Sequence, residues 1–99
     1  MAFAIKFQSK AEDEFLEAFR WYEEHHDRLG KRFEAAIEKQ FNRIIGNPEN
    51  YPLKKYSCRE SKVEDFPYLV VYKVYPTKQT IFIISIFHTS RKPSKKYRG

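Results

Sequence analysis

Residues 68–88 read YLVVYKVYPTKQTIFIISIFH and contain the two strongest strand-forming runs of the chain. The first run, Tyr68–Tyr75, is rich in Tyr and Val, and it follows Pro67 at a position where a strand tolerates proline. Residues 76–79 form a turn. The second run, Thr80–His88, is almost continuously apolar, which is typical of a central strand with both faces covered. This stretch therefore predicts two long strands.

Upstream of these strands, a short strand and a helix are predicted. Residues 3–7 alternate large apolar residues with smaller or charged ones, and a period of two indicates a half-buried strand. The spacing of Ser9 and Glu12 matches a capping box, which predicts that a helix begins with Ser9 as its N-cap. Acidic residues crowd the first two turns, where the helix dipole favours negative charge. The apolar stripe of this helix consists of Ala11, Phe15, Ala18, Phe19 and Tyr22.

A second helix is predicted to follow directly. Asp27 is its expected N-cap, and Gly46 is expected behind its last turn in the left-handed conformation, before Pro48. Two helices joined by a short turn form an αα-hairpin. Residues 47–55 are then a loop, and the weakly patterned residues 56–64 hold at most a short or edge strand. The element order β-α-α-β-β-β predicts one α+β domain over residues 1–99.

The composition suits a small soluble domain. The chain has 99 residues, of which 41% are hydrophobic and 32% are charged, and single domains commonly have about 100–150 residues. No apolar run approaches the roughly 20 residues of a membrane span. Residues 1–10 lack a secretory pattern, so we expect a cytoplasmic protein. Cys58 is the only cysteine, which excludes an internal disulfide and a cysteine zinc site.

Positive charge is concentrated near the C-terminus. Residues 1–65 hold 12 basic and 13 acidic side chains, whereas residues 66–99 hold seven basic and no acidic ones. Five of these seven cations lie in the tail, residues 89–99: Arg91, Lys92, Lys95, Lys96 and Arg98. A basic surface of this kind indicates an anionic partner, either nucleic acid or an acidic protein.

Two residues at the end of the last strand are candidates for a functional site. Arg91 comes just after the strand, where a rigid scaffold often presents functional groups. His88 ends the strand and shares the phase of Phe82, Ile84 and Ile86. It is either a general base or acid near neutral pH, or a hydrogen-bonded histidine at the rim of the core.

Other candidates are surface residues of the first helix and of the weak strand. Trp21 lies off the centre of the apolar stripe, so we expect it to be partly exposed and to help form an interface, whereas Tyr22 packs inside. Arg59 and Lys62 add cations that can line one basic face with the tail. The sequence holds no phosphate-binding loop, zinc-protease motif or nucleophile elbow, so any catalysis must use scattered side chains.

These features together resemble a known family. In chain order they are Trp21-Tyr22-Glu23, Leu29-Gly30-x-Arg32-Phe33, Asn47-Pro48, Phe66-Pro67-Tyr68 before Val71-Tyr72, and His88-x-x-Arg91-x-Pro93. The ordered set is similar to toxins of the RelE/ParE superfamily, the toxic halves of type II toxin–antitoxin modules. The resemblance covers nearly the whole chain. It implies a small α+β fold, in which the helical hairpin packs on a twisted, mainly antiparallel sheet.

The resemblance also implies a target. ParE-type members poison DNA gyrase and are not known to need a catalytic centre. RelE-type members cleave mRNA in the ribosome with basic residues and a Tyr or His around the open face of the sheet. They typically carry a basic residue where this chain has Leu69, before Val70-Val71-Tyr72, and the Trp-Tyr-Glu and Phe-Pro-Tyr motifs are closer to ParE. We therefore expect a ParE-like gyrase inhibitor of a plasmid-stabilisation type, with no cofactor and no metal.

The expected partner under either toxin interpretation is an antitoxin with an acidic C-terminal segment, because complementary charge speeds the encounter. Exposed apolar surface between the hairpin and the sheet is expected to receive the hydrophobic face of this segment. The residues expected to bind the antitoxin or the target are Trp21, Arg59, Arg91, Lys92, Lys95 and Lys96.

Two alternatives remain open. A RelE-like, metal-independent mRNA endonuclease would use Arg91, His88, Tyr97 and Lys62, since cleavage needs a base for the 2′-hydroxyl and cations for the phosphorane. A basic RNA- or DNA-binding module without toxicity also fits the composition.

Overall fold

The computed structural model describes residues 3–92 and 96–97. The chain begins with a strand, continues with two helices and ends with three strands, which confirms the predicted element order. The elements are β1 (Ala4–Phe7), α1 (Ser9–His25), α2 (Leu29–Gly46), β2 (Arg59–Lys62), β3 (Tyr68–Tyr75) and β4 (Thr80–His88), with 3-10 turns at Lys55–Ser57 and Pro76–Lys78. The predicted bounds of β3 and β4 are confirmed. No helix in the described part of the chain is long and apolar enough to span a membrane.

The four strands form one mixed sheet in the order β1-β4-β3-β2. Strand β1 runs parallel to β4, while β2 and β4 each run antiparallel to β3 between them. The apolar β4 therefore lies in the centre of the sheet, and the polar β2 is a short strand at its edge, as their compositions predict.

The helical hairpin covers one face of this sheet, which we call the helix face. Its buried sheet residues are Val70, Tyr72, Ile81, Ile83 and Ile86, and they pack with the apolar stripes of α1 and α2. The opposite side, which we call the open face, carries a second and smaller apolar cluster. Its members are Cys58, Val71, Ile84 and Phe87, with Leu69, Phe82 and Tyr97 packed against them.

Aromatic rings fill the space between the hairpin and the sheet. Phe33 of α2 is fully buried at the centre of this cluster. Its ring centroid lies 5.1–5.7 Å from those of four other rings, Phe15, Tyr22, Phe66 and Tyr68. Large rings bury much apolar area per residue, which a domain of this length needs for a stable core.

A β-bulge in β4 changes which residues face the helices. Val71 of β3 pairs with Ser85 and Tyr72 pairs with Ile83, so Ile84 is an extra residue in β4. Because an inserted residue shifts the period-two alternation, Ile84 lies on the open face and Ile86 on the helix face. The prediction that Phe82, Ile84, Ile86 and His88 all lie on one face of β4 is therefore wrong. His88 pairs with Tyr68 on the helix face.

The helix ends differ from the sequence prediction. Helix α1 already includes Ser9, its N-cap is Gln8, and no side chain caps it, so the Ser9 capping box is not formed. The reason is tertiary: the Gln8 amide donates to the Ile83 carbonyl of β4 at 3.0 Å, and this bond fixes where the chain turns into the helix. Gly46 also departs from prediction, since it is the last residue of α2 and has a negative φ.

A glutamate, rather than the predicted Asp27, satisfies the start of α2. The N-cap of α2 is Arg28, with a φ of 66°, and its own side chain makes no capping hydrogen bond. The Gly30 amide in the first turn instead donates to the Glu23 carboxylate of α1 at 3.1 Å. A β-carbon at Gly30 would collide with the Glu23 side chain, so glycine is needed for this close approach.

Candidate functional site

An open groove of about 1000 Å³ lies between α1 and the adjoining ends of β3 and β4. We call it the α1 groove. It contains three of the residues singled out from the sequence, Trp21, His88 and Arg91, together with Tyr22 and Tyr68. The structure thus brings the tryptophan of the first helix and the end of the last strand into one site.

Glu14 of α1 holds the end of β4 in place beside this groove. Strand β1 pairs with β4 only as far as Ile83. Beyond the bulge, the Ile86 amide on the same edge of β4 therefore has no strand partner. The Glu14 carboxylate accepts hydrogen bonds from the Ile86 amide at 3.0 Å and from the Ser85 hydroxyl at 2.8 Å. One carboxylate therefore replaces the missing strand at the bulge, and hydrogen bonds to a charged acceptor are the stronger kind.

His88 is held by its own turn and by an aromatic neighbour. Its Nδ1 accepts a hydrogen bond from the Ser90 amide at 3.1 Å, and the Ser90 hydroxyl lies 2.7 Å from the same atom. Its ring packs edge-on against Tyr68, with centroids 4.9 Å apart. Because Nδ1 is an acceptor, the neutral ring carries its proton on Nε2. These contacts match the interpretation of His88 as a hydrogen-bonded residue at the rim of the core.

Arg91 is paired across the groove with an acidic residue of α1. Its guanidinium lies 3.4 Å from the Glu17 carboxylate, and both side chains are about half exposed or more. The groove as a whole is not basic: it is lined by four carboxylates and two arginines, namely Asp13, Glu14, Glu17, Glu24, Arg20 and Arg91. The sequence prediction of one basic face therefore does not describe this site.

Trp21 is 53% exposed, as its position off the apolar stripe predicts, whereas Tyr22 is buried. The indole ring stacks on His25 with centroids 3.9 Å apart and meets Tyr22 edge-on. The His25 ring is itself held by a contact of 2.7 Å between its Nδ1 and the Trp21 carbonyl. The indole is thus held by two neighbouring rings while about half of its surface stays exposed. In the described part of the chain, no group of residues is suited to hold a metal ion.

The other two residues of the predicted endonuclease set lie on the open face. The Tyr97 hydroxyl donates to the Glu60 carboxylate, and its ring packs edge-on against Tyr56. Lys62 lies opposite Leu69 in the sheet register, which places it on the same face. The set is therefore divided: His88 and Arg91 border the α1 groove, whereas Tyr97 and Lys62 lie across the sheet from it.

The remaining predicted binding residues have different environments. Arg59 donates to the carbonyls of Tyr51 at 2.7 Å and Glu49 at 3.2 Å, so it fixes the loop before β2. Lys96 lies 3.1 Å from the Glu60 carboxylate, and both side chains are mostly buried. Lys92 is exposed next to Arg91. Lys95 lies outside the described residues.

Burial raises the pKa of four tyrosines, Tyr22, Tyr68, Tyr72 and Tyr97, which gives the protein a pH dependence that can be measured. Burial, followed by the neighbouring Tyr22, raises the pKa of Tyr68 to about 12. Burial, followed by the hydrogen bond to Glu60, raises the pKa of Tyr97 to about 12. The unfolded chain releases these protons near pH 10. Their contribution to stability is thus complete below about pH 10 and is lost as the pH rises from about 10 to about 12.

We expect urea midpoints to fall over this alkaline range, as followed by circular dichroism, while tyrosinate absorbance shows the four tyrosines ionising at higher pH than in the unfolded chain. The Tyr97→Phe variant keeps the ring but has no proton to lose, so its midpoint should fall less steeply than that of the wild type. A wild-type midpoint that stays constant up to about pH 12 would contradict the assignment.

The sequence of the chain matches a known family over most of its length. Residues 5–93 fit the family described as "ParE toxin of type II toxin-antitoxin system, parDE". The chain belongs to the ParE toxin family. No curated protein sequence matches it significantly.

Solved structures of ParE and RelE proteins share the fold of this ParE family member. A chain described as the chromosomal ParDE system from P. aeruginosa superimposes with a TM-score of 0.74 at 15% identity, over 89% of this chain and 97% of that one. Free E. coli RelE, as a double arginine-to-alanine variant, gives a TM-score of 0.64 at 20% identity, over 98% and 95%. The intact E. coli RelBE complex gives 0.62 at 20% identity, over 91% and 100%.

Several family motifs of this ParE protein have structural roles. Glu23 of the Trp-Tyr-Glu motif meets Gly30 of the next motif at the start of α2. The Tyr72 hydroxyl donates to the carbonyl of Pro48, which ties β3 to the loop after α2, at 2.7 Å. The carbonyl of Pro67 accepts from the Thr89 amide at 2.9 Å. The sequence motifs therefore mark contacts that hold the hairpin, the sheet and the end of β4 together.

Proposed function

We propose that this ParE family member inhibits DNA gyrase and that a cognate antitoxin neutralises it. The main support is the division of the residues that an mRNA endonuclease would need. General acid–base cleavage requires the base, the acid and the phosphate-binding cations around one scissile bond. In this chain His88 and Arg91 border the α1 groove, while Tyr97 and Lys62 lie on the open face.

The charges around both pairs of residues, the pair at the α1 groove and the pair on the open face, also disfavour RNA cleavage. Arg91 is paired with Glu17, and three further carboxylates line the same groove, so a phosphate there meets strong like-charge repulsion. On the open face, the Tyr97 hydroxyl and the Lys96 ammonium are both committed to Glu60. Leu69 stands on this face as an apolar residue. ParE-type inhibition, in contrast, requires a binding surface rather than a catalytic centre.

The antitoxin partner is supported by two of the similar structures, which are described as a ParDE system and a RelBE toxin–antitoxin complex. We assign it to the α1 groove, because exposed Trp21 offers the kind of aromatic anchor that dominates interfaces. We assign the acidic segment of the antitoxin to the exposed Lys92 beside Arg91, at one end of the groove, since the carboxylates of α1 that line the rest of the groove would repel it. Arg59 and Lys96 belong to folding contacts and are left out of this interface. A protein that inhibits gyrase must act in the cytoplasm, so we propose this location for it.

The test is a pair of assays with the purified protein. We expect it to abolish the supercoiling activity of DNA gyrase, or to trap gyrase-cleaved DNA, when it is in molar excess over the enzyme. We expect no ribosome-dependent cuts in mRNA by primer extension, because the acid, base and cations are divided between the two faces of the sheet.

On the type II pattern we expect a reading frame adjacent to that of the toxin to encode the antitoxin. The matched control is the same toxin preincubated with the purified product of this adjacent reading frame, which should restore supercoiling. Ribosome-dependent mRNA cuts would overturn the proposal in favour of the RelE-like endonuclease. Unaffected gyrase together with salt-sensitive binding to bare nucleic acid would favour the non-toxic binding module.

A further inference from the structure

The loop before β2 carries the two most exposed large apolar side chains in the described part of the chain. Tyr56 is 71% exposed and Leu53 is 60% exposed. Both belong to residues 53–57, which we call the Tyr56 loop. Single exposed apolar residues are common on protein surfaces, whereas two on one short loop make a patch of the kind that marks an interaction site.

The backbone of this loop is strained at the tyrosine itself. Tyr56 has a φ of 58° and a ψ of 32°, and Ser57 has a φ of 62°. Two successive residues with side chains therefore adopt the left-handed conformation, which is costly for a bulky residue and is usually left to glycine or asparagine. Strain of this kind clusters at functional sites. A tyrosine at a position that favours glycine indicates that its side chain has a function.

Hydrogen bonds at both ends hold the loop in this shape. The Lys54 amide donates to the Cys58 carbonyl at 2.6 Å, and the Cys58 amide donates to the Lys55 carbonyl at 3.0 Å. Leu53 forms an isolated antiparallel bridge with Arg59, whose guanidinium binds two carbonyls ahead of the loop. The loop therefore has little conformational freedom to lose when a partner binds, which favours affinity.

A second aromatic ring supports the side chain of Tyr56. Tyr97 meets it edge-on at a centroid distance of 5.7 Å, and the Tyr97 hydroxyl is itself bound to Glu60 of β2. The Tyr56 ring is thus positioned by a packed neighbour while most of its surface remains exposed. A rigid ring with an apolar body and a polar tip is typical of the residues that anchor protein interfaces.

The charge of the loop indicates the chemistry of its partner. Residues 50–59 contain three basic residues and no acidic one. Arg59 is engaged with backbone carbonyls, whereas Lys54 and Lys55 are both exposed. A nucleic-acid backbone would satisfy these lysines but would give the aliphatic Leu53 no apolar surface to bury. A protein surface with carboxylates around an apolar pocket fits both, because opposite charges speed association and the pocket accepts the apolar side chains.

The Tyr56 loop lies away from the α1 groove. Strand β2 begins opposite Tyr72 and ends opposite Leu69. The loop before β2 is therefore at the other end of this strand from Tyr68, which borders the groove, and none of its residues lines that groove. A partner of the loop is thus different from the segment that we assign to Trp21.

We infer that the Tyr56 loop is the surface with which this toxin recognises gyrase, and that Tyr56 and Leu53 enter an apolar pocket edged by carboxylates. This inference rests on the proposed function for the identity of the target. It adds a target site that is separate from the antitoxin site, and it states the chemistry that the surface of gyrase must offer.

The test compares Tyr56→Ala and Tyr56→Gly with the wild type as inhibitors of supercoiling by DNA gyrase. Both variants lose the ring, so we expect both half-inhibitory concentrations to rise about tenfold or more, as for an interface hot spot. Glycine relieves the left-handed strain that alanine retains. The melting temperature of Tyr56→Gly, measured by circular dichroism, should therefore exceed that of Tyr56→Ala. A merely structural role would instead make the loss of inhibition follow the loss of stability.

Two further variants test the charges of the loop. For Lys54→Glu/Lys55→Glu we expect the half-inhibitory concentration to rise about tenfold at low salt, with a smaller difference from the wild type at high salt, because exposed charges are screened. Lys31→Glu/Arg32→Glu changes the net charge equally at exposed positions of α2 and should inhibit like the wild type. All four variants should bind the product of the adjacent reading frame within about twofold of the wild type.

Three outcomes would overturn the inference and leave the proposed function intact. The first is inhibition of gyrase by both Tyr56 variants at wild-type concentrations. The second is a parallel loss of inhibition and of antitoxin binding, which would mean that the antitoxin occupies the loop. The third is weaker binding of Lys54→Glu/Lys55→Glu to a bare DNA duplex while the Tyr56 variants still inhibit, which would mean that the occupant is nucleic acid. If the wild type does not inhibit gyrase, the proposed function fails and the inference fails with it.

Discussion

Replacing Phe33 with alanine is expected to lower the free energy of unfolding by about 3–5 kcal/mol. Phe33 is fully buried, and its ring contacts rings from α1, from the loop before β3 and from β3 itself. Truncation removes the transfer energy of the ring and leaves a cavity that rigid aromatic neighbours fill poorly. Because a small domain is stable by about 5–15 kcal/mol, the variant loses a large part of its stability. The melting temperature should fall by roughly 15–30 °C.

Two control variants separate the cavity from a general effect of substitution. Phe33→Leu keeps much of the volume and should lose less than about 1.5 kcal/mol. Leu53→Ala changes a side chain that is largely exposed and should stay within about 0.5 kcal/mol of the wild type. Urea unfolding followed by circular dichroism measures all three. A loss at Phe33→Ala no larger than that at Leu53→Ala would show that the aromatic cluster does not hold the hairpin to the sheet.

The elements of this fold are predictable because their signals are local. Runs of Tyr and Val, a nearly continuous apolar run and the turn at Pro76 define β3 and β4 to the residue. Apolar stripes at helical spacing likewise define α1 and α2. The ends of the helices are set elsewhere: the Gln8 amide bonds to Ile83, and Glu23 reaches Gly30. Neither contact has a signature within a few residues, so the local capping rules fail at Ser9 and Asp27.

The bulge in β4 shows why the candidate site is harder to predict. Ile84 is chemically the same as Ile83 before it, so a count of alternate residues along β4 gives no sign of the inserted residue. His88 consequently lies on the helix face beside α1, away from Tyr97. The residue types of a site are visible in the sequence, but a one-residue shift of register decides which of them meet.

The sequence allows two explanations for the acidic residues of α1 that line the α1 groove. Acidic residues early in α1 are explained by the helix dipole alone. However, residues 14, 17, 21 and 24 recur at helical spacing and form one stripe, on which Trp21 is the only aromatic residue. That stripe faces the end of β4, where Glu14 meets Ser85 and Glu17 meets Arg91. The spacing marks a second contact face of the helix, but it does not reveal the partner.

Trp21→Ala is expected to weaken antitoxin binding about 30-fold or more, the scale of an interface hot spot. The indole is about half exposed in the free protein, so its loss removes little of the core. Alanine is also the better helix former, which offsets part of the lost contact with His25. The large effect should therefore appear in binding to the product of the adjacent reading frame, measured by surface plasmon resonance, and the melting temperature should change by only a few degrees.

The comparison variant is Tyr75→Ala, which removes another exposed aromatic ring, at the far end of β3 from the α1 groove, and should bind the antitoxin like the wild type. The two proposed partners make different demands on Trp21, so gyrase inhibition by the same variant distinguishes them. If Trp21→Ala still inhibits gyrase but escapes neutralisation, the tryptophan belongs to the antitoxin interface. If it binds the antitoxin within about twofold of the wild type and no longer inhibits gyrase, this assignment is wrong, and the exposed indole is part of the surface that recognises the target.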